Sequence, residues 1–177
     1  LPSPLHGIRV VDLSAVLSGP LAAAMLADQG AEVIKVETLD GDTCRMIGPA
    51  KGDLSAMYIA TNRGKQSLAM DLKTPESREI LSKLLKKADV VINNFRPGVM
   101  DRLGWDDDTL AALNPRLIRV SITGYGHEGQ ARNDRVYDAV IQAVAGVAAT
   151  QRNPINGQPT VLATALSDKL TALTASQ

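Results

Sequence analysis

Ile8-Arg9-Val10-Val11-Asp12-Leu13, Ser14-Ala15-Val16-Leu17-Ser18, Gly19-Pro20 and Glu32-Val33-Ile34-Lys35-Val36-Glu37 decide the fold of this chain. The first run is apolar and β-branched, the pattern of a strand covered on both faces. A loop of mostly small residues follows, and Gly19-Pro20 starts a helix where the missing proline N–H costs least. Residues 21–27 are apolar almost all round, which predicts a buried helix. Gly30 caps its end, and residues 32–37 form the next strand. Such a βαβ crossover makes parallel strands. In an open parallel sheet, ligands sit at the strands' carboxyl ends, so residues 14–19 stand at the mouth of a site.

Working outward, residues 38–57 are rich in glycine, aspartate and proline and read as a long loop, a frequent carrier of function. Residues 67–72 predict a strand. Thr74, Pro75 and Glu76 then open a helix as N-cap, first residue and dipole-matched acid. Ile80, Leu81, Leu84 and Leu85 give that helix one apolar stripe. Residues 89–95 predict a strand, 105–113 a helix, 117–122 a strand and 126–135 a polar loop. Small residues from Tyr137 to about Ala149 predict another helix, and a last one runs from about Ser167. Strands alternate with helices throughout, so the class is α/β with a mainly parallel sheet.

Composition narrows the function. Of 177 residues, 19 are basic and 19 acidic, which speaks against a nucleic-acid surface or a polybasic membrane anchor. No apolar run reaches the length of a membrane span. The single cysteine, Cys44, leaves no internal disulfide and fits a reducing cytoplasm. It has no neighbouring histidine in sequence to activate it. The two histidines, His6 and His127, are far apart and form no metal motif. The first turn lacks G-x-G-x-x-G, which argues against a nicotinamide or flavin dinucleotide, and Glu37 reads as a strand-end charge. Lys73, Arg96, Arg102 and Arg135 each fall beside a strand end or helix start. Together they suit phosphate groups; taken singly, each is ordinarily a solvated surface charge.

Several short motifs occur in unbroken order from Leu5 to Asp168. They are Gly19-Pro20, residues 26–37, Gly41-Asp42, Asn62-Arg63-Gly64-Lys65, Asp71-Leu72-Lys73, Asn94-Phe95-Arg96-Pro97-Gly98, Leu103-Gly104, Asn114-Pro115, Gly124-Tyr125-Gly126, Tyr137-Asp138 and Gln142-Ala143-x-x-Gly146. In this the chain resembles the class III CoA-transferases, a family that also contains α-methylacyl-CoA racemases. The resemblance implies a Rossmann-like open sheet with helices on both faces, and residues 1–177 as the amino-terminal part of the large CoA-binding domain. A second domain and a return segment then lie outside this chain, and the full-length protein forms an interlocked homodimer. The implied substrates are an acyl-CoA and a small carboxylic acid, with coenzyme A as the cofactor and no metal, nicotinamide or flavin.

The family's nucleophilic aspartate matches Asp168. Read by residue type alone, Asp168 serves equally as the N-cap of the last helix. By resemblance its carboxylate attacks the acyl-CoA, giving an anhydride and then an aspartyl-CoA thioester, with Asp138 an acidic neighbour of the reacting group. Val16, Leu17, Ser18, Met70, Lys73, Asn94, Arg102, Arg135 and Tyr137 match positions that line the family's CoA site. Leu17 stands where formyl-CoA transferase carries glutamine, which argues against a formyl- or oxalyl-type acyl group. Thr38 stands where it carries arginine, so the adenine contacts differ. Three other readings compete: proton exchange at the α-carbon of an acyl-CoA, a CoA-binding module without catalysis, and a fragment that does nothing alone because half its site is absent. The racemase branch has a histidine where this chain has Tyr137, which cannot shuttle protons near neutral pH in the same way.

Overall fold

The computed structural model describes residues 2–177. In chain order the elements are β1 (Arg9–Asp12), α1 (Ser18–Asp28), β2 (Glu32–Glu37), β3 (Ala50–Lys51), β4 (Leu54–Ser55), α2 (Ala56–Asn62), β5 (Gln66–Ala69), α3 (Pro75–Leu85), β6 (Val90–Asn93), α4 (Val99–Arg102), α5 (Asp107–Leu113), β7 (Ile118–Ser121), α6 (Asp138–Val144), α7 (Val147–Thr150) and α8 (Leu166–Ala175). Five strands form one sheet in the order β5-β2-β1-β6-β7, and every pairing in it is parallel. The strand order reverses between β1 and β6, which makes their carboxyl ends the crevice of the fold.

Alternation along the strands splits the core into two layers. Val11, Val36 and Val91 pack with Leu81 and Leu85 of α3, with Leu110 of α5 and with Trp105, which precedes α5. Val10, Val33 and Ile92 face the other way, against Ala23 of α1. Leu81 and Leu85 are fully buried, each worth about 1.5–3 kcal/mol of transfer free energy. Leu84 is half-buried and Ile80 is 45% exposed, so the predicted stripe is narrower than its four residues. On α1, Ala22, Ala23 and Ala24 have no exposed surface, and α8 packs against the same helix.

Most boundaries follow their signals. Thr74 caps α3 by accepting from the Ser77 N–H at 3.2 Å, with Pro75 as the first helical residue. Other expectations need correction. Helix α1 starts at Ser18, two residues before Pro20. Helix α5 starts after Asp106, which caps it through the Thr109 N–H at 2.8 Å, so Trp105 belongs to the core below. The single helix expected from Tyr137 to Ala149 is broken at Gly146, whose φ of 80° is left-handed and separates α6 from α7. Residues 38–57 are not a plain loop: they hold a 3-10 turn at Thr43–Met46, the β3–β4 hairpin and the start of α2.

Candidate functional site

The loop after β1 is built by buried charge. Asp12 Oδ1 accepts the Ser14 N–H at 2.9 Å, and Lys35 Nζ donates to the Ser14 carbonyl. Asn94, just past β6, clamps Ala15 twice: its Oδ1 accepts the Ala15 N–H at 2.8 Å and its Nδ2 donates to the Ala15 carbonyl at 2.7 Å. Asp42 Oδ1 accepts the Val16 N–H at 3.0 Å. Beneath these contacts Lys35 pairs with Asp42 at 3.0 Å and Lys65 with Asp12 at 2.8 Å, all four side chains at most 1% exposed. Burial lowers the Lys65 pKa to about 8, with Asp12 acting in the opposite direction. Gly19 is required where α1 meets this loop, because a Cβ there would overlap Ser14.

The carboxyl ends of β1, β6 and β7 open into a cavity of about 630 Å³. Six of the nine expected CoA-site residues line it: Val16, Leu17, Ser18, Asn94, Arg135 and Tyr137. Asp138 and Asp168 line it too, as do Arg96 and Arg132. The other three lie outside that lining. Met70 is 5% exposed and packed in the core. Lys73 is exposed in the turn between β5 and α3. Arg102 is exposed at the end of α4, its guanidinium beside Gly98. A second cavity of about 400 Å³ shares Val16, Leu17, Tyr137, Asp138 and Asp168 with the first, and adds Ile47, Met57 and Leu162. Asp168 therefore stands on the wall common to both.

Asp168 is not the N-cap of α8. The helix begins at Leu166 with Ala165 in the cap position and no side-chain cap bond there. The capping acceptor comes from another helix: Asp138 Oδ1 takes the Asp168 N–H at 3.0 Å. Asp138 Oδ2 in turn accepts from Gln142 Nε2 at 2.5 Å. Gln142 is 1% exposed; it donates to the Thr164 carbonyl at 3.0 Å and accepts the Leu162 N–H at 2.8 Å. This frees the Asp168 carboxyl from capping and ties its backbone to α6. Burial raises the Asp168 pKa, and the Asp138 charge adds to that, while a hydrogen bond from Ser18 acts in the opposite sense. A carboxylate raised this way is a better nucleophile once ionised, because its lone pairs are less well solvated.

Residue type alone did not single out Gln142 or Asp42 for these roles, although both lie in motifs that carry the resemblance. Glu37 is turned inward and 5% exposed, bonded to Arg45 Nε at 2.9 Å, the Tyr58 hydroxyl at 2.6 Å and the Asp42 N–H at 2.8 Å. It is a structural strand-end charge, not a ribose ligand. Cys44 has no exposed surface. Burial, reinforced by Asp42, pushes its thiol up to about 12, so it is no nucleophile. Among the described residues, no helix is long and apolar enough to cross a membrane.

Comparison with known proteins places this geometry. Residues 5–177 match the family model described as CoA-transferase family III. The succinate–glutarate CoA-transferase of Agrobacterium fabrum is 45% identical over 178 residues, 96% of this chain and 44% of that protein. The acetyl-CoA:oxalate CoA-transferase of Acetobacter aceti is 44% identical over 167 residues, 93% of this chain and 43% of that protein. Among solved structures, a CAIB/BAIF family protein from Brucella suis has a TM-score of 0.93 at 39% identity, covering 99% of this chain and 48% of that one. The hypothetical protein Rv3272 of Mycobacterium tuberculosis has a TM-score of 0.91 at 38% identity, covering 99% and 49%. The chain thus spans less than half the length of these relatives.

Proposed function

The chain belongs to CoA-transferase family III, and from that membership we propose that the full-length protein moves coenzyme A from an acyl-CoA to a carboxylic acid, with Asp168 as nucleophile. The observation that carries this reading is Asp168 on the shared wall of two cavities, its carboxyl free of the capping role and its backbone fixed by Asp138. Residues 1–177 are the amino-terminal part of the CoA-binding domain. The second domain, the return segment and an interlocked partner subunit belong to the whole protein. The compartment is the cytoplasm.

The steps balance without redox change or net proton transfer. The Asp168 carboxylate attacks the thioester carbonyl, forming a mixed anhydride and expelling CoA thiolate. The thiolate attacks the Asp168 carbonyl of that anhydride, releasing the donor acid and leaving an aspartyl-CoA thioester. The acceptor carboxylate attacks this thioester, giving a second anhydride and thiolate. Attack of the thiolate on the acceptor carbonyl then yields the new acyl-CoA and restores Asp168. Asp168 itself lies in the first turn of α8, where the helix dipole favours negative charge. Arg135 and Tyr137 line the larger cavity for coenzyme A, and Lys73 and Arg102 offer exposed charge for its phosphates.

The test is Asp168→Asn in the full-length protein. A neutral amide cannot form the anhydride, so CoA transfer is lost while CoA binding stays within about threefold of wild type. Transfer that survives the substitution overturns the proposal. So does solvent deuterium entering the α-carbon of a branched acyl-CoA with no CoA transfer.

A further inference from the structure

Among the described residues, Val16 is the one non-glycine with a left-handed backbone, at φ 70°. A β-branched residue avoids that region because its Cβ crowds the backbone, so it persists only where the surroundings over-determine it. The surroundings here do. Asn94 holds Ala15 through both its N–H and its carbonyl, but the group that reaches the Val16 N–H is Asp42. Asp42 Oδ1 accepts the N–H of Val16 and that of Cys44, each at 3.0 Å. Its Oδ2 accepts from Lys35 Nζ at 3.0 Å, and its own N–H donates to Glu37 at 2.8 Å. The carboxylate is therefore pinned to β2 from two sides and cannot follow the loop if the loop moves.

Asp42 lines neither cavity, whereas Val16 and Leu17 line both. Ser18 is the next residue along and lines the larger cavity together with Asp168. Rotation of Val16 to a negative φ would redirect the chain at the one residue before Leu17 and Ser18. We infer that Asp42 is a positioning residue for CoA transfer: it locks Val16 left-handed and so sets the wall that faces Asp168. The inference rests on the CoA-transfer reading given above.

The test is a double-mutant cycle in the full-length enzyme, with the donor turned over fastest among acetyl-, succinyl- and butyryl-CoA. Asp42→Ala removes the acceptor outright and should lower kcat about tenfold or more, while KM for the acyl-CoA stays within about threefold. Glycine adopts the left-handed region without enforcement. In a V16G background, D42A should therefore lower kcat by less than about threefold relative to V16G alone. A crystal structure of D42A should show Val16 at negative φ. If D42A does not fold, Asp42→Glu keeps the charge beside Lys35 while displacing the oxygen from the Val16 N–H. The same kcat loss, the same rescue and the same change of φ are then expected.

Val16 still left-handed in the variant structure, or an equal kcat loss in both backgrounds, overturns the inference. A wild-type enzyme that transfers CoA from none of the three donors overturns the CoA-transfer reading instead, and the Val16 φ in the variant then decides the backbone claim separately.

Discussion

Replacing Glu37 by glutamine tests the charge network that holds the segment after β2. The Glu37 carboxyl is held at about 2 against an ordinary 4.5. Burial works to raise it, but Arg45, the Tyr58 hydroxyl and the Asp42 N–H outweigh that. Arg45 also stacks over the Tyr58 ring, 3.7 Å from its centroid, so the cluster is tied together on both sides. A depressed carboxyl contributes stability that is complete above its unfolded value of 4.5 and is lost as pH falls through about 2. By linkage this amounts to about 3 kcal/mol at pH 7 and about 2 kcal/mol at pH 3.5. The E37Q amide does not ionise, so the gap between wild type and variant should narrow by roughly 1 kcal/mol over that interval. Urea unfolding of the two full-length proteins at pH 7 and pH 3.5, followed by circular dichroism, measures the gap directly. Because both share every other titrating group, those terms cancel in the difference. A gap that stays constant, or widens toward acid, would show that these partners do not hold the Glu37 carboxyl down in the folded state.

The remaining predictions concern the site. Asp168 must be ionised to attack, so kcat/KM should fall on the acid side at a pH above the ordinary aspartate range, where burial and Asp138 have raised it. Asp138→Asn removes the like charge but keeps an oxygen for the Asp168 N–H, and the acid limb should move to lower pH; an unmoved or upward-shifted limb contradicts the electrostatic account. Arg135→Ala should weaken CoA binding by about 1–3 kcal/mol, the scale of a lost charge-assisted hydrogen bond. Calorimetric titration of the full-length variant checks this, and an unchanged Kd would return Arg135 to the solvated surface.

Much of the fold is legible because its signals are local. The apolar runs at Val10-Val11, Val33-Ile34 and Val91-Ile92 specify strands buried on both faces, and the sheet confirms them. Thr74-Pro75 specifies a helix start through bonds within one turn. What escapes a reading of pattern depends on partners distant in sequence. The 3-10 turn and α2 within residues 38–62 are held by Asp42, Glu37 and the Ser55 cap, none of which shows in the local composition. Asp168 resembles an N-cap because aspartate ordinarily fills that place; Asp138, thirty residues away, accepts its N–H instead. Val16 is the strongest case. No propensity assigns a valine positive φ, and only the bonds gathered around residues 14–16 make it possible. The site positions came from resemblance rather than pattern: six of nine CoA-site residues meet at one cavity, while Met70 is spent on the core.

The most direct measurement is the covalent state of Asp168 when donor is present and acceptor is withheld. Full-length enzyme is mixed with acyl-CoA and no acceptor acid, quenched with borohydride, digested and weighed by mass spectrometry. CoA should accumulate as a thioester on Asp168, so that borohydride converts that side chain to an alcohol and the peptide carrying it loses the corresponding mass. The change should be absent without acyl-CoA and absent in Asp168→Asn. CoA transfer with the Asp168 peptide at its unmodified mass would rule out a covalent aspartyl-CoA intermediate on Asp168.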